Sequence, residues 1–70
     1  MNMMFVSYLK KFCNSKHFGS IRVGQAMRDF GWTREQFDSE IEKMEEIGFE
    51  FIRIKGKKSD GLQDVIKYVI

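Results

Sequence analysis

A chain of 70 residues with a net charge of +2 has room for one small domain and no room for a deep catalytic cleft. One cysteine excludes an intrachain disulfide and fits a reducing compartment. The seven phenylalanines, two tyrosines, one tryptophan and five methionines supply a core, each aromatic ring removing about 150–250 Å² from water.

The first segment, Asn2 to Ser15, reads as an amphipathic helix. Phe5, Val6, Leu9, Phe12 and Cys13 fall at helical spacing, with Ser7, Lys10, Lys11 and Asn14 between them. Gly19 is the expected stop just past its end. The apolar start, Met1 to Val6, is too short to span a membrane and lacks the flanks of a secretion signal, so a cytoplasmic protein is expected.

Ser20, Ile21 and Arg22 form a brief extended stretch. Gly24 to Phe30 follows as a compact helix with Ala26, Met27 and Phe30 on one side. Gly31 ends it where a tight turn needs positive φ. Thr33 and Gln36 then match a capping box. They open a helix over Arg34 to Ile47, in which Phe37, Ile41 and Met44 recur at i, i+4 and i+7 and Ile47 flanks the stripe. Gly48 closes it. No proline intervenes, so glycines and polar caps set the helix lengths.

Phe49 to Ile54 is rich in rings and β-branched residues and predicts a strand. Lys55 to Gly61 is a polar, glycine-bounded loop of hairpin character. Leu62 to Ile70 fits two patterns: strand propensity at Val65, Ile66, Tyr68, Val69 and Ile70, and helical spacing at Leu62, Val65, Ile66 and Val69. The loop before it favours a strand returning antiparallel to Phe49–Ile54.

The charges are ordered basic, acidic, basic. Met1 to Arg34 holds Lys10, Lys11, Lys16, Arg22, Arg28 and Arg34 against Asp29 alone. Glu35 to Glu50 is acidic apart from Lys43. Phe51 onward holds Arg53, Lys55, Lys57, Lys58 and Lys67 against Asp60 and Asp64. Such asymmetry concerns partners more than the fold.

Two helices joined by a glycine turn make a helix-turn-helix, and a hairpin after them makes a wing. From Ser20 to Gly61 the sequence resembles the winged helix-turn-helix domains of the biotin-repressor type. The matching residues are Ala26, Phe30, Gly31, Trp32 and Thr33-Arg34, then Phe37, Ile41, Met44 and Gly48, with a wing-like stretch from Arg53 to Gly61. Met27 stands where many such domains carry a small residue. The resemblance implies an α+β winged helix over 1–70, with three helices and a small antiparallel β-hairpin wing. It also implies a double-stranded DNA partner and a role in transcription regulation. The helix after the turn would enter the major groove and the wing would touch the backbone. Carried across, Thr33, Arg34, Asp38, Ser39 and Lys43 become candidate base or phosphate contacts, and Arg53, Lys55, Lys57 and Lys58 candidate wing contacts. Lys10, Lys11 and Lys16 are further candidates for backbone contact.

The helical wheel supports a second class of function. Opposite Phe37, Ile41 and Met44 stand Glu35, Ser39, Glu42 and Glu46, with Asp38 and Lys43 beside them. Several carboxylates on a groove-facing helix are repelled by DNA phosphates. The same face suits a basic protein surface, as in an inhibitor or adaptor, or simple solvation. Arg34 reads equally as a guanine contact or as an i,i+4 partner of Asp38. The lysines of the loop read as phosphate contacts or as a solvated turn. The apolar run Val65 to Ile70 offers a homodimer interface.

Trp32 is expected to pack over the helix-turn-helix junction, His17 to meet free carbonyls at the end of the first helix, and Cys13 to pack as a small hydrophobe. One His and one Cys cannot assemble a zinc site of ordinary spacing. No phosphate-binding glycine loop or nucleophile elbow is present. No enzyme activity, metal or cofactor is therefore expected.

Overall fold

The computed structural model describes residues 2–70. Its elements run α1 (Met3–Lys11), β1 (Phe18–Arg22), α2 (Val23–Phe30), α3 (Arg34–Glu46), β2 (Phe51–Ile54) and β3 (Val65–Val69). The outcome is a small α+β domain with three helices and a three-stranded antiparallel sheet. No helix among the described residues is long and apolar enough to cross a membrane.

Local chemistry sets most boundaries. The Asn2 side chain accepts the Phe5 N–H at 3.1 Å and starts α1. Thr33 and Gln36 form the expected capping box, each side chain accepting the other residue's N–H, at 3.2 and 2.8 Å. Both α2 and α3 end in a Schellman motif. Trp32 N–H reaches Met27 O at 2.9 Å, and Phe49 N–H reaches Met44 O at 3.1 Å. Gly31 (φ 66°) and Gly48 (φ 108°) supply the left-handed residues these closures require.

Several expectations need correction. The first helix stops at Lys11, short of Ser15. Asn14 offers the chain a competing turn: its side-chain oxygen accepts the N–H groups of Lys16 (2.9 Å) and Phe18 (3.2 Å), and its own N–H donates to Phe18 O. Phe12, placed on the inward stripe by spacing, is 47% exposed, and Cys13 is half-buried beyond the helix end. His17 has a left-handed backbone (φ 67°). It lies six residues beyond the end of α1, in the turn before β1, so its ring does not meet the helix carbonyls; its own carbonyl accepts from Ile70 N–H at 3.0 Å. Gly19 is not a helix stop but a residue of β1. Ile47 caps α3 and is exposed, outside the core stripe. Phe49 still closes α3, which delays the second strand to Phe51.

Leu62–Ile70 resolves toward strand, as the loop suggested, with β3 at Val65–Val69. β3 lies in the middle of the sheet, in the order β1-β3-β2. It pairs antiparallel with β1 from Phe18↔Val69 to Arg22↔Val65, and with β2 from Phe51↔Tyr68 to Ile54↔Val65. Alternation turns Ile21, Ile66 and Tyr68 toward the helices. They meet Phe5 and Leu9 of α1, Val23 and Ala26 of α2, and Phe37, Ile41 and Met44 of α3 in one core. Phe5 sits at its aromatic centre, edge-on to Phe30 (5.5 Å), Trp32 (5.1 Å) and Phe37 (6.0 Å). Trp32 stacks on Phe30 at 4.4 Å, over the α2–α3 junction as expected. The Tyr68 hydroxyl donates to Leu9 O at 2.7 Å, and a Cβ on Gly19 would clash with the Cε2–Cζ edge of the Tyr68 ring.

Candidate nucleic-acid interface

The helical period divides the surface of α3 into three strips. Phe37, Ile41 and Met44 face inward, so Glu35, Ser39, Glu42 and Glu46 form the outer ridge, all exposed. Along one flank lie Arg34, Asp38 and Glu45. Along the other, Gln36, Glu40 and Lys43 share a shallow groove with Trp32, Thr33, Glu35 and Ser39. The predicted nucleic-acid residues of α3 are thus divided, with Arg34 on one flank, Thr33 and Lys43 along the other, and Ser39 on the acidic ridge between them.

The flank bearing Arg34 is built by hydrogen bonds to the β2–β3 loop. Arg34 Nε donates to Asp38 at 3.0 Å, while its Nη1 donates to Gly61 O at 3.3 Å and lies 3.6 Å from an Asp64 carboxylate oxygen. Asp64 also accepts the Gly56 N–H at 2.7 Å. Its backbone carbonyl accepts the Val23 N–H at 2.9 Å, and Leu62 O accepts the Gly24 N–H at 3.1 Å. The base of the loop is therefore fastened to the starts of both α2 and α3. Sequence reading missed Asp64 and Gly61, because both lie far along the chain from Arg34. The only local signal is polar punctuation just before a run of strand-forming residues.

Lys55, Lys57 and Lys58 are exposed on this loop, and none has an acid within ion-pair distance among the described residues. Arg53, by contrast, forks onto Glu45 of α3 through two bonds, at 2.9 and 3.2 Å. The hydrogen bond from Arg53 holds the Glu45 carboxyl below its ordinary pKa, and the same bond pushes the Arg53 guanidinium up. Lys43 lies 3.5 Å from Glu40. Three of the predicted cationic contacts, Arg34, Lys43 and Arg53, thus carry intramolecular carboxylate partners, while the loop lysines have none among the described residues.

The acidic candidates divide in the same way. Asp38 is committed to Arg34, whereas Glu35, Glu42 and Glu46 have no ion partner among the described residues. Lys10 lines a groove with His17, Phe49 and Ile70, at the Phe18–Val69 end of the sheet. The lysine loop leaves from the opposite, Ile54–Val65 end. Lys11 lines another groove with Tyr8 and Asp29, between α1 and α2. The structure therefore does not gather the α1 lysines with those of the loop. No three His, Cys, Asp or Glu side chains converge as a metal site among the described residues.

No protein-family model, no curated protein and no solved structure matches the chain.

Proposed function

We propose that the chain is a small winged-helix DNA-binding protein, a cytoplasmic transcription regulator that acts by binding and not by catalysis. The observation that carries this reading is the union of a lysine-bearing β2–β3 loop with the first turn of α3, through Arg34, Gly61 and Asp64. Element order and the sheet order β1-β3-β2 suit a winged helix, with that loop as the wing. The first turn of α3 enters the major groove, where Thr33 and Arg34 reach base edges or phosphates, while Ser39 and Lys43, one and two turns further on, contact phosphates only where the acidic ridge allows. Lys55, Lys57 and Lys58 neutralise phosphates beside it, with Arg53 behind them.

The ion pairs sharpen this mechanism. Arg34, Arg53 and Lys43 begin with their charge offset by Asp38, Asp64, Glu45 and Glu40, so the loop lysines supply most of the counterion release. With three phosphate contacts, log K falls against log salt with a slope of about −3. The test is a comparison of variants by duplex binding. Replacing Lys55, Lys57 and Lys58 together by alanine abolishes most affinity, while Glu42→Gln with Glu46→Gln leaves it unchanged or raises it. Loss of affinity only in the glutamate variant contradicts the reading.

A second reading is favoured by one observation: Glu35, Glu42 and Glu46 are exposed along the outer ridge, with no ion partner among the described residues. On that reading the ridge, with Asp38, binds a basic protein surface, and the two variant sets reverse their effects.

A further inference from the structure

The guanidinium of Arg34 is committed inside the chain. An arginine offers five N–H donors in one plane, divided among three nitrogens. Nε donates to Asp38 at 3.0 Å, and Nη1 donates to Gly61 O at 3.3 Å while lying 3.6 Å from Asp64. Only Nη2 has no partner among the described residues. Reading a guanine takes two neighbouring nitrogens at once, one on O6 and one on N7. Every two-nitrogen edge of Arg34 includes a nitrogen that is already bonded.

The other ends of these bonds show what the guanidinium holds. Gly61 is buried with φ 76°, and a Cβ there would stand 2.6 Å from Nη1, so the loop meets the arginine at its backbone. The Gly61 N–H donates to Lys58 O at 3.5 Å, and its carbonyl also accepts the Asp64 N–H at 3.2 Å. Lys58 therefore stands two hydrogen bonds from Arg34, with Lys57 next to it in the chain. Lys55 precedes Gly56, whose N–H is held by Asp64, the same carboxylate that faces Nη1. On its other side the guanidinium is tied by Asp38 to its own helix, one turn on. Arg34 is thus clamped between α3 and the loop that carries the lysines.

We propose that Arg34 is a positioning residue: it sets the loop against the start of α3 and acts on duplex DNA through Lys55, Lys57 and Lys58, without reading a base. The inference rests on the DNA-binding function proposed for the chain and narrows the part of Arg34 in it. Lysine is no substitute in this role. A single ammonium on a flexible stem cannot hold Asp38 and Gly61 O together, whereas a planar fork does. Three roles separate on this point. A phosphate contact needs only a charge, which lysine supplies. A base contact sets a preference among sequences. A positioning residue needs the fork and alters the binding of all sequences alike.

The test titrates the full chain, Arg34→Lys and Arg34→Ala onto a panel of labelled duplexes of differing sequence, at several salt concentrations. The Arg34 side chain is partly exposed, and circular dichroism checks that each variant is folded. Both variants are expected to bind about tenfold more weakly, by the same factor on every duplex, with the salt slope flattened by more than the ~0.9 of one phosphate. In the free variants, amide hydrogen exchange is expected to quicken from Lys55 to Gly61. An Arg34→Lys variant that binds like the wild type, or exchange in the loop that does not change, overturns the proposal in favour of a direct phosphate contact. A preference among duplexes that the wild type shows and both variants lose overturns it in favour of base reading. A wild-type chain that binds no duplex at all removes the DNA-binding function itself, and the proposal with it.

Discussion

Arg34 and Asp64 join the first turn of α3 to the end of the β2–β3 loop, with Nη1 3.6 Å from a carboxylate oxygen. The pair itself is partly exposed, and such ion pairs contribute little on their own. The greater consequence lies with the second oxygen of Asp64, which accepts the part-buried Gly56 N–H at 2.7 Å. One carboxylate thus both closes the loop and docks it on the helix.

Asp64→Ala leaves the Gly56 N–H without its acceptor and Arg34 with one anion fewer. The expected cost is about 1–3 kcal/mol, the usual penalty for an unmade part-buried bond. For a domain of this size each kcal/mol lowers Tm by about 4–8 °C. Hydrogen exchange is expected to quicken at Gly56 and Gly61 before it quickens in α1. Unchanged exchange in the loop would show that Asp64 does not hold it.

Tyr68 ties β3 to α1. Its hydroxyl donates to Leu9 O at 2.7 Å inside the core, and its ring lies over Gly19. Tyr68→Phe keeps the ring and removes one donor from Leu9 O, which retains the Phe12 N–H at 3.2 Å, so the expected cost is that of one hydrogen bond, about 0.5–1.5 kcal/mol. Gly19→Ala drives a methyl group into the ring and is expected to cost about 1–3 kcal/mol by overpacking. The two positions touch, so their effects are not expected to add. Urea denaturation of the single and double variants measures both statements.

The tyrosines also set the behaviour at high pH. Burial first, and then the hydrogen bond to Asp29 with its negative charge, push the Tyr8 phenol from 10.0 up to about 12. Burial raises Tyr68 as well. A raised folded-state pKa means that the folded chain keeps protons the unfolded chain releases. This contribution is fully present below pH 10 and is lost as pH rises through the folded value. Stability is therefore expected to fall between pH 10 and about pH 12. Absorbance titration of the folded protein should show neither of its two tyrosines ionising at the ordinary value. A normal titration of either would contradict the packing described.

Phe5 touches the aromatic rings of α2, the turn and α3 at once. Phe5→Ala is expected to cost about 3–5 kcal/mol. Small domains have only about 5–15 kcal/mol in total, so near-UV circular dichroism should show much of this variant unfolded at 37 °C. A variant that keeps its near-UV spectrum and melts near wild type would place the centre of the core elsewhere.

Signals that act over a few residues were legible in the sequence. The capping box at Thr33 and Gln36, the left-handed Gly31 and the stripe Phe37–Ile41–Met44 are local, and each appears in the structure. Phe12 and Gly19 misled for a physical reason. Spacing alone continues the helix through Phe12, but the Asn14 turn withdraws the backbone from it. Gly19 answers to Tyr68, a residue at the other end of the chain. The central position of β3 and the role of Asp64 depend on the same kind of distant pairing. At the candidate site, the residue types of α3 and the loop were visible. The commitment of Arg34 and Arg53 to carboxylates was only half visible: Arg34–Asp38 follows helical spacing, and Arg53–Glu45 does not.

On the proposed function, the start of α3 and the lysine loop together bind double-stranded DNA. The most direct test is fluorescence anisotropy of a labelled mixed-sequence duplex, titrated with the protein at low and then moderate salt. Micromolar binding that weakens with salt at a slope of about −3 is expected. No binding even at low salt would contradict it, and would turn attention to the carboxylate ridge of Glu35, Glu42 and Glu46.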